Sequence, residues 1–302
     1  MLDGRGKSKD ITGLRPVRAP ALPVETMVLG KPVTEAADLV PRLFNLCRAA
    51  QALAVRKALG LPVAASMNDE LRHEIMRDHL LKLCVALPAQ FGIGSEGLPS
   101  GWASDRGAAA RAVFGPAGEP PKTPDDLDAF LTSGHRVAEV LHKIDQCFDP
   151  GEAATGQLTS LSRTNIRRDA PVENSVAGRH GLHPVMRHIA EPRGRGAIMR
   201  PAARHLNLAT WQNHPQTATI SHTAGNAIVP ATRGTYIVTA ASQAGHVTQF
   251  ERVTPTDHML APDGILDRTL ATLPAMKEGL ATLILEILDP CTPVRLKEAG
   301  DA

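Results

Sequence analysis

Apolar side chains recur along most of the chain at the spacing of an α-helix. Leu39 and Leu43 begin one such face, with acidic residues in the first turns, where they favour the helix dipole. This helix starts at Thr34 or, because of the proline there, at Pro41. A cap-forming Thr123, followed by proline and two acids, marks another start. The patterns predict helices over residues 34–60, 68–88, 124–148, 183–190, 197–212 and 266–288, with a loop over residues 149–175.

Strand-forming residues are concentrated in one place. Residues 236–239 and 246–250 are rich in β-branched and aromatic side chains and flank an Ala/Ser/Gln/Gly turn, which predicts a β-hairpin. Aromatic residues make up only 3% of the chain, so the core is expected to be aliphatic, as suits packed helices. We therefore predict a mainly α fold with a small β element (α+β). Residues 1–23 are predicted to be a flexible tail, and residues 24–302 a single domain.

The composition, 43% hydrophobic and 21% charged residues over 302 residues, is that of an ordinary globular protein. A net charge of +2 gives no reason to expect nucleic acid as a partner. The arginine-rich stretch over residues 163–204 lacks aromatic side chains that would stack on bases, so it predicts a docking surface for an acidic partner or a solvated face.

No apolar run is long enough to span a bilayer, and the first residues lack the apolar stretch of a secretory signal. We therefore expect a cytoplasmic protein without a membrane partner. In that reducing compartment its four cysteines are expected to be free thiols.

Three segments carry motifs that are similar to those of the nickel–iron hydrogenase large subunit. Residues 25–47 end in a pattern similar to that family's Arg-x-Cys-x-x-Cys. Residues 232–256 contain Arg-Gly-Thr, the predicted hairpin and Val-Thr-Pro-Thr, where the family has Pro-Arg-Gly-Thr, a hairpin and Val-Pro-Thr. Residues 287–294 resemble the C-terminal Asp-Pro-Cys-x-x-Cys. A weaker similarity lies at residues 173–177, and residues 62–170 contribute nothing to the resemblance.

The cysteine motifs are only half present. Cys47 matches the second cysteine of the first pair, and Phe44 stands in place of the first. Cys291 matches the first cysteine of the C-terminal pair, and Val294 stands in place of the second. A histidine that follows the first pair in the family is replaced by Gln51. Within the superfamily, such halved motifs most resemble the accessory hydrogenase expression/formation proteins of the HupK/HoxV type.

The resemblance implies a site with reduced metal-binding capacity. In the family, four thiolates bind nickel and two of them bridge to iron; with two thiols missing, no complete nickel site is expected and the chain is not predicted to be an enzyme. Cys47 and Cys291 are the predicted metal ligands, and they would tether iron with its carbonyl and cyanide ligands transiently. Arg233 is predicted to contact the cyanides, and Asp289 either to orient Arg233 or a thiol, or merely to end a helix.

These features predict a hydrogenase maturation scaffold. It would receive the iron–carbonyl–cyanide centre from an assembly factor and pass it to the large-subunit precursor. Two alternatives are a metal-free mimic of the large subunit that recruits maturation chaperones and, ranked last, a thiol-dependent redox enzyme. Cys84 and Cys147 are expected to be small buried apolar residues. The roles of three histidines are left open: His180, His183 and His258.

Overall fold

Helices form about half of the described residues, whose strands belong to one four-stranded and two two-stranded sheets. The computed structural model describes residues 11–20, 22–94, 97–213, 221–223 and 225–298. The helices are α1 Val24–Val28, α2 Val33–Leu39, α3 Arg48–Ala58, α4 Ser66–Leu81, α5 Leu87–Gln90, α6 Arg106–Phe114, α7 Pro124–Leu131, α8 Arg136–Cys147, α9 Val176–Arg179, α10 Pro184–Arg193, α11 Met199–Asn213, α12 Pro255–Met259, α13 Ile265–Ala271 and α14 Ala281–Leu288. The strands are β1 Leu14–Arg18, β2 Thr159–Ser160, β3 Val172–Glu173, β4 Ser221–Thr223, β5 Asn226–Ala231, β6 Gly234–Gln243, β7 His246–Val253 and β8 Val294–Glu298.

The helix start predicted at Thr123 is confirmed. The Thr123 hydroxyl accepts a hydrogen bond from the Asp126 amide at 3.2 Å, and the Asp126 carboxylate accepts one from the Thr123 amide at 2.9 Å. This reciprocal cap satisfies two amides that would otherwise lack partners. The prediction of one helix to residue 148 is wrong, because α7 ends at Leu131 and α8 begins only at Arg136. Gly134, with a φ of 73°, makes the turn between them.

The predicted continuous helix over residues 34–60 is also wrong. α2 passes into a 3₁₀ turn, Val40–Arg42, whose Pro41 cannot donate a backbone hydrogen bond, and α3 begins only at Arg48. Cys47 precedes α3 with a φ of 54°, in the left-handed region. The chain therefore turns at Cys47, and α3 leaves this turn to pack on β5 and β6.

The other predicted helices are confirmed in position but not always as single units. α10 and α11 match the two predicted after residue 180, while α4 begins at Ser66, two residues before the predicted Asn68 cap. A π-helical turn, Lys82–Ala86, joins α4 to α5. The last predicted helix, residues 266–288, is divided: α13 and α14 are separated by a 3₁₀ turn, Ala275–Leu280, that follows Pro274. The predicted loop over residues 149–175 contains only the short parallel pair of β2 and β3.

The predicted hairpin is confirmed as β6 and β7. Their two-residue turn, Ala244 and Gly245, has positive φ angles of 49° and 78°, the turn geometry that matches the twist of antiparallel strands. The sheet is larger than the sequence predicts, because β5 pairs with β6 and β4 with β5. The connection from β5 to β6 is a second tight turn, formed by Thr232 and Arg233 between the paired residues Ala231 and Gly234.

The predicted tail is partly structured. β1 pairs antiparallel with β8 near the other end of the chain, with Leu14 opposite Glu298 and Arg18 opposite Val294. The prediction of a flexible segment through residue 23 is therefore wrong for residues 14–18, because a pairing between distant segments leaves no local periodicity to detect. Residues 1–10 and 21 lie outside the described part.

The core is aliphatic, as the composition predicts. Leu53 and Ala54 of α3 are fully buried against Val229 and Val238 of the sheet, and α11 packs on α4 and α9. Among the described residues, no helix combines the length and the apolarity required to cross a bilayer.

Gly234 gives a first test of this packing. A Cβ at this position would lie 2.4 Å from the Asn174 carbonyl oxygen, which is backbone and cannot move aside cheaply. We expect Gly234→Ala to lower the free energy of unfolding by about 1–3 kcal/mol, as overpacking does. Gly279→Ala is the matched control, because nothing lies within 4 Å of a Cβ there. Equal stabilities of the two variants in urea denaturation would contradict the close approach.

Candidate functional site

Three turns bring the four predicted site residues together. Cys47 lies at the turn before α3, Arg233 in the tight turn between β5 and β6, and Asp289 and Cys291 in the turn after α14. Cys47 and Arg233 are buried and Cys291 is partly exposed. The site thus joins segments that are about 50 to 250 residues apart in the sequence.

The two thiols lie within hydrogen-bonding range of each other. Arg233 Nη1 donates to Cys47 Sγ at 3.6 Å, and the Cys291 amide donates to Thr256 Oγ1 at 2.8 Å. The hydroxyl of Thr256, which is buried in α12, also lowers the pKa of the Cys291 thiol. Besides each other, the two cysteines are therefore contacted by two elements, the β5–β6 turn and α12.

This contact gives the two thiols different pKa values. The hydrogen bond from Cys47, the Arg233 cation and the Thr256 hydroxyl together lower the pKa of Cys291 to about 7, against the effect of burial. The same contact and burial raise the pKa of Cys47 well above its ordinary value. As pH rises, the pair therefore loses its first proton near neutral pH, and the negative charge then lies mainly on Cys291.

Asp289 both ends a helix and orients Arg233. It terminates α14 in the left-handed region, with a φ of 56°. Its carboxylate lies 2.8 Å from Arg204 Nη2, 3.0 Å from Arg233 Nη2 and 3.3 Å from Lys82 Nζ. Its backbone carbonyl also accepts from Arg233 Nε at 2.7 Å. Although burial raises the pKa of Asp289, the three cations lower it by more, so the carboxylate is ionised at neutral pH.

The three residues that replace a cysteine or histidine of the resembling family have structural roles of their own. Phe44 lies beneath Arg252, whose guanidinium carbon is 4.4 Å from the ring centroid. Val294 is the first residue of β8. Gln51 donates through its side-chain amide to the Leu46 carbonyl at 2.9 Å, within the turn that contains Cys47.

One face of α4 supplies site residues for which the sequence gives no resemblance. Glu74 accepts hydrogen bonds from the amides of Ala49 and Ala50, at 2.8 and 3.2 Å, and so caps the start of α3 beside Cys47. Asp78 Oδ2 lies 3.6 Å from Arg233 Nη1, and Lys82 reaches Asp289. These residues recur every four positions, so helical periodicity in polar residues is a signal that would have grouped them.

A buried hydrogen-bond chain fixes Arg204 in turn. Arg204 Nη1 donates to His79 Nδ1 at 3.3 Å, and His79 Nε2 donates to Asn207 Oδ1 at 2.9 Å. Burial, followed by the charge of Arg204, lowers the pKa of His79 well below its ordinary value, so the ring is neutral. With one nitrogen accepting and the other donating, this tautomer suits both neighbours.

The turn that carries Arg233 is clamped from the side by α9 and the segment before it. Arg179 Nη2 donates to the carbonyl of Ala231 at 3.2 Å and to that of Gly234, on either side of the turn. Asn174 donates to the Thr235 carbonyl at 2.9 Å and accepts from the Thr235 amide at 2.7 Å. The segment of weak sequence similarity, residues 173–177, therefore adjoins the site.

The three histidines whose roles the sequence leaves open have ordinary structural contacts. His180 Nε2 accepts from Asn207 at 2.9 Å, and burial lowers its pKa to about 4. His183 caps α10, and His258 bonds Asn174 and the Arg167 carbonyl. Within the described ranges, no three His, Cys, Asp or Glu side chains are grouped so as to hold a metal ion.

Most arginines of the basic stretch over residues 163–204 are paired within the fold. The pairs are Arg167–Asp169, Arg168–Glu25, Arg193–Asp145, Arg200–Glu173 and Arg204–Asp289. Arg187 is exposed and forms no ion pair with a described residue. Arg200 and Arg204 are buried, whereas Arg163, Arg167 and Arg187 are exposed, so the stretch is part internal structure and part surface.

Comparison with known proteins gives one close relative and a shared fold. No family model matches the chain. It is 44% identical over 281 residues to the hydrogenase expression/formation protein HupK of Rhodobacter capsulatus, and the match covers 93% of this chain and 92% of that protein.

Solved structures share the fold. The Ni-Fe-Se hydrogenase from D. vulgaris Hildenborough matches with a TM-score of 0.54 and 11% identity over 93% of this chain and 96% of that one. An NAD⁺-reducing NiFe-hydrogenase matches with a TM-score of 0.55 and 14% identity over 90% of each chain. At these identities the solved structures show the fold alone, and the predicted large-subunit-like α+β fold is confirmed.

Removing the Asp289 charge tests the centre of the site. Asp289→Asn keeps the shape and tolerates the left-handed backbone. It removes the one carboxylate partner that Arg204 has among the described residues, and one of two from each of Arg233 and Lys82. We expect the free energy of unfolding at neutral pH to fall by about 3 kcal/mol or more, as for other broken buried pairs.

Asp263→Asn is the matched control, because Asp263 is also left-handed and pairs with an arginine, but at the exposed surface. Because folding lowers the pKa of Asp289, its contribution is complete above its ordinary pKa and is lost as pH falls through the lower, folded value. Equal effects of the two substitutions across that pH range would contradict this account.

Thiol alkylation tests the separation of acidities. Mapping by mass spectrometry should show Cys291 reacting with iodoacetamide with a rate midpoint near pH 7, because its thiolate forms there. Cys147, partly exposed and with its pKa raised by burial, is the control and should react more slowly at that pH. Arg233→Gln should move the Cys291 midpoint upward, whereas Arg233→Lys should retain part of the effect. An unchanged midpoint in Arg233→Gln would contradict the assigned cause.

Proposed function

Because this chain belongs to the family of the hydrogenase expression/formation protein HupK, we propose that it holds an iron–carbonyl–cyanide unit on Cys47 and Cys291 during hydrogenase maturation. The chain acts in hydrogenase formation as an accessory protein. An assembly factor delivers the unit, and the large-subunit precursor receives it.

The observation that carries the proposal is the meeting of the two thiols beside Arg233. Two thiols that are far apart in the sequence lie within hydrogen-bonding range, and a buried guanidinium donates to one of them. Two thiolates are sufficient for an iron centre that brings its own diatomic ligands, and soft sulfur suits such a metal. Arg233 is a fixed donor next to the sulfur, where cyanide nitrogens would accept hydrogen bonds.

The charges around the site favour an anionic cargo. Arg179 pairs with no carboxylate in the described part of the chain, its hydrogen-bond acceptors are neutral carbonyls and an amide, and burial lowers its pKa to about 10. Each cyanide and each thiolate adds one negative charge, which would compensate this one unpaired cation.

Protonation of the Cys47 thiolate gives a route to release of the iron unit. Cys291 is close to ionised at neutral pH, but Cys47 must lose its proton to bind metal. Because burial and the neighbouring thiolate raise the pKa of Cys47, returning that proton favours detachment of the metal. A carrier needs this balance, since a unit held too tightly is not passed on.

Turnover of hydrogen is not part of the proposal. Phe44 and Val294 occupy the places of two thiolates, and the remaining cysteines lie elsewhere: Cys84 in the π-helical turn and Cys147 at the end of α8. The four thiolates that the nickel site of the resembling family uses therefore cannot be assembled from this chain's cysteines.

A second candidate is a metal-free docking mimic of the large subunit, and the small cavity beside Arg233 favours it. This cavity has a volume of about 20 Å³, which is room for about one water molecule. Neither cysteine lines it, so under the first proposal an iron unit on the sulfurs lies outside this cavity.

Infrared spectroscopy separates the two candidates. The protein, purified without oxygen from cells that are making hydrogenase, should show carbonyl and cyanide stretching bands. The bands should be lost in both Cys47→Ala and Cys291→Ala, because each change removes one of the two sulfur ligands. Arg233→Gln should shift the cyanide bands while leaving the carbonyl band nearly unchanged, since only cyanide nitrogens accept from this donor.

Cys84→Ala and Cys147→Ala are the matched controls and should retain the bands, because both cysteines lie outside the site. Bands that survive both site variants would show that the ligands are different residues. An intact wild-type protein without bands, taken from cells whose hydrogenase matures normally, would favour the docking mimic.

A further inference from the structure

A groove of about 600 Å³ runs beside the turn that carries Cys47. It lies between the helical segments before Cys47 and the connection from α3 to α4, away from the sulfurs themselves. Its walls include the apolar side chains of Ala37, Pro41, Ala52, Val63 and Met67. Most of these are only partly buried, so the groove presents an apolar strip at the surface.

Positive charge at this groove is not neutralised within the fold. Arg42 and Arg48 line it, are exposed, and form no ion pair with any described residue. Arg56 is different, because it pairs with Asp38 at 3.8 Å and donates to the Pro62 carbonyl at 2.9 Å. After that pair is set aside, two arginines face one remaining acid of the lining, Glu70.

The groove and the thiol turn share one stretch of backbone. Arg42 ends the 3₁₀ turn before Cys47, and Arg48 is the first residue of α3 after it. The next amides of α3 are bound by Glu74 from α4, so this end of α3 is already fixed on its inner side. A ligand that engages Arg42 and Arg48 therefore grips both sides of the Cys47 turn.

We infer that this groove binds an extended, acidic segment of a protein partner in hydrogenase assembly, an identification that rests on the proposed function. Carboxylates of the segment pair with Arg42 and Arg48, and small apolar side chains pack on the strip between them. An α-helix is 10–12 Å wide, so one turn fills on the order of 400–600 Å³ and the groove would hold barely one. An extended chain is thinner and can run along its length.

The position gives this contact a consequence for the thiols. Under the proposed function, the Cys47 turn carries one of the two sulfur ligands, so a change in the position of this turn changes the grip on the unit. A partner that holds the residues on both sides of that turn is placed to move it or to keep it open. Docking of the partner and transfer of the iron unit are thereby coupled through three successive segments of the chain: the 3₁₀ turn, Cys47 and the first turn of α3.

Site-specific photo-crosslinking tests the inference in the full chain. Val63 is replaced by p-benzoylphenylalanine in cells that are making hydrogenase, and crosslinked peptides are identified by mass spectrometry. We expect a crosslink to a segment of an assembly factor or of the large-subunit precursor that has more acidic than basic residues. Arg42→Glu combined with Arg48→Glu should reduce its yield about tenfold, because like charges then oppose each other.

Arg187→Glu is the matched control, because Arg187 is equally exposed and unpaired but lies on α10; it should leave the yield unchanged. A crosslink to a basic segment or to nucleic acid, no crosslink at all, or equal yields in the two charge-reversed proteins would each overturn the inference. Infrared spectra of the same samples distinguish the two proposals. Carbonyl and cyanide bands without a crosslink would reject partner binding at the groove but not the iron carrier. A crosslink without these bands would reject the iron carrier but not partner binding at the groove.

Discussion

The carboxylate of Asp289 is the interaction on which the geometry of the site depends. It lies within 3.3 Å of Arg204, Arg233 and Lys82, which belong to α11, the β5–β6 turn and the π-helical turn after α4. Three cations packed together without it would repel one another in a region that solvent does not screen. Asp289 also fixes the direction in which α14 ends, two residues before Cys291. Charge pairing and the path of the chain are therefore set by the same residue.

This arrangement explains how a site with few ligands can still be well ordered. Arg233 bonds Asp289 twice and Asp78 once, and its turn is clamped by Arg179 and Asn174. Its direction is thus fixed before any cargo binds, so little conformational entropy remains to be lost on binding. The thiols have fewer contacts: Cys47 accepts a hydrogen bond from Arg233, and the Cys291 amide donates to Thr256.

How far the sequence predicts this structure depends on how local each signal is. The Thr123 cap and the β6–β7 turn are encoded within a few residues, and both are confirmed. The two helix breaks before α3 and after residue 271 each lie next to a proline, Pro41 and Pro274, but helical periodicity continues across them and hides them. The pairing of β1 with β8 has no local signature. The positions of the four predicted site residues follow from motif resemblance, whereas the α4 face with Glu74, Asp78 and Lys82 needed the fold to connect it to them.

Phe44 and Val294, which replace two cysteines of the resembling family, could be remnants of lost metal ligands or residues with structural roles of their own. If the thiols had simply been lost, their positions would be expected to hold small residues without specific partners. Instead Phe44 packs beneath Arg252, and Val294 opens a strand that ties the C-terminal segment to residues 14–18. Each replacement supports structure next to a retained cysteine, Phe44 in the turn before Cys47 and Val294 in the strand after Cys291. Restoring thiols there would remove a ring from the first contact and a β-branched side chain from the second. Phe44 and Val294 are therefore integrated into the fold around the two cysteines.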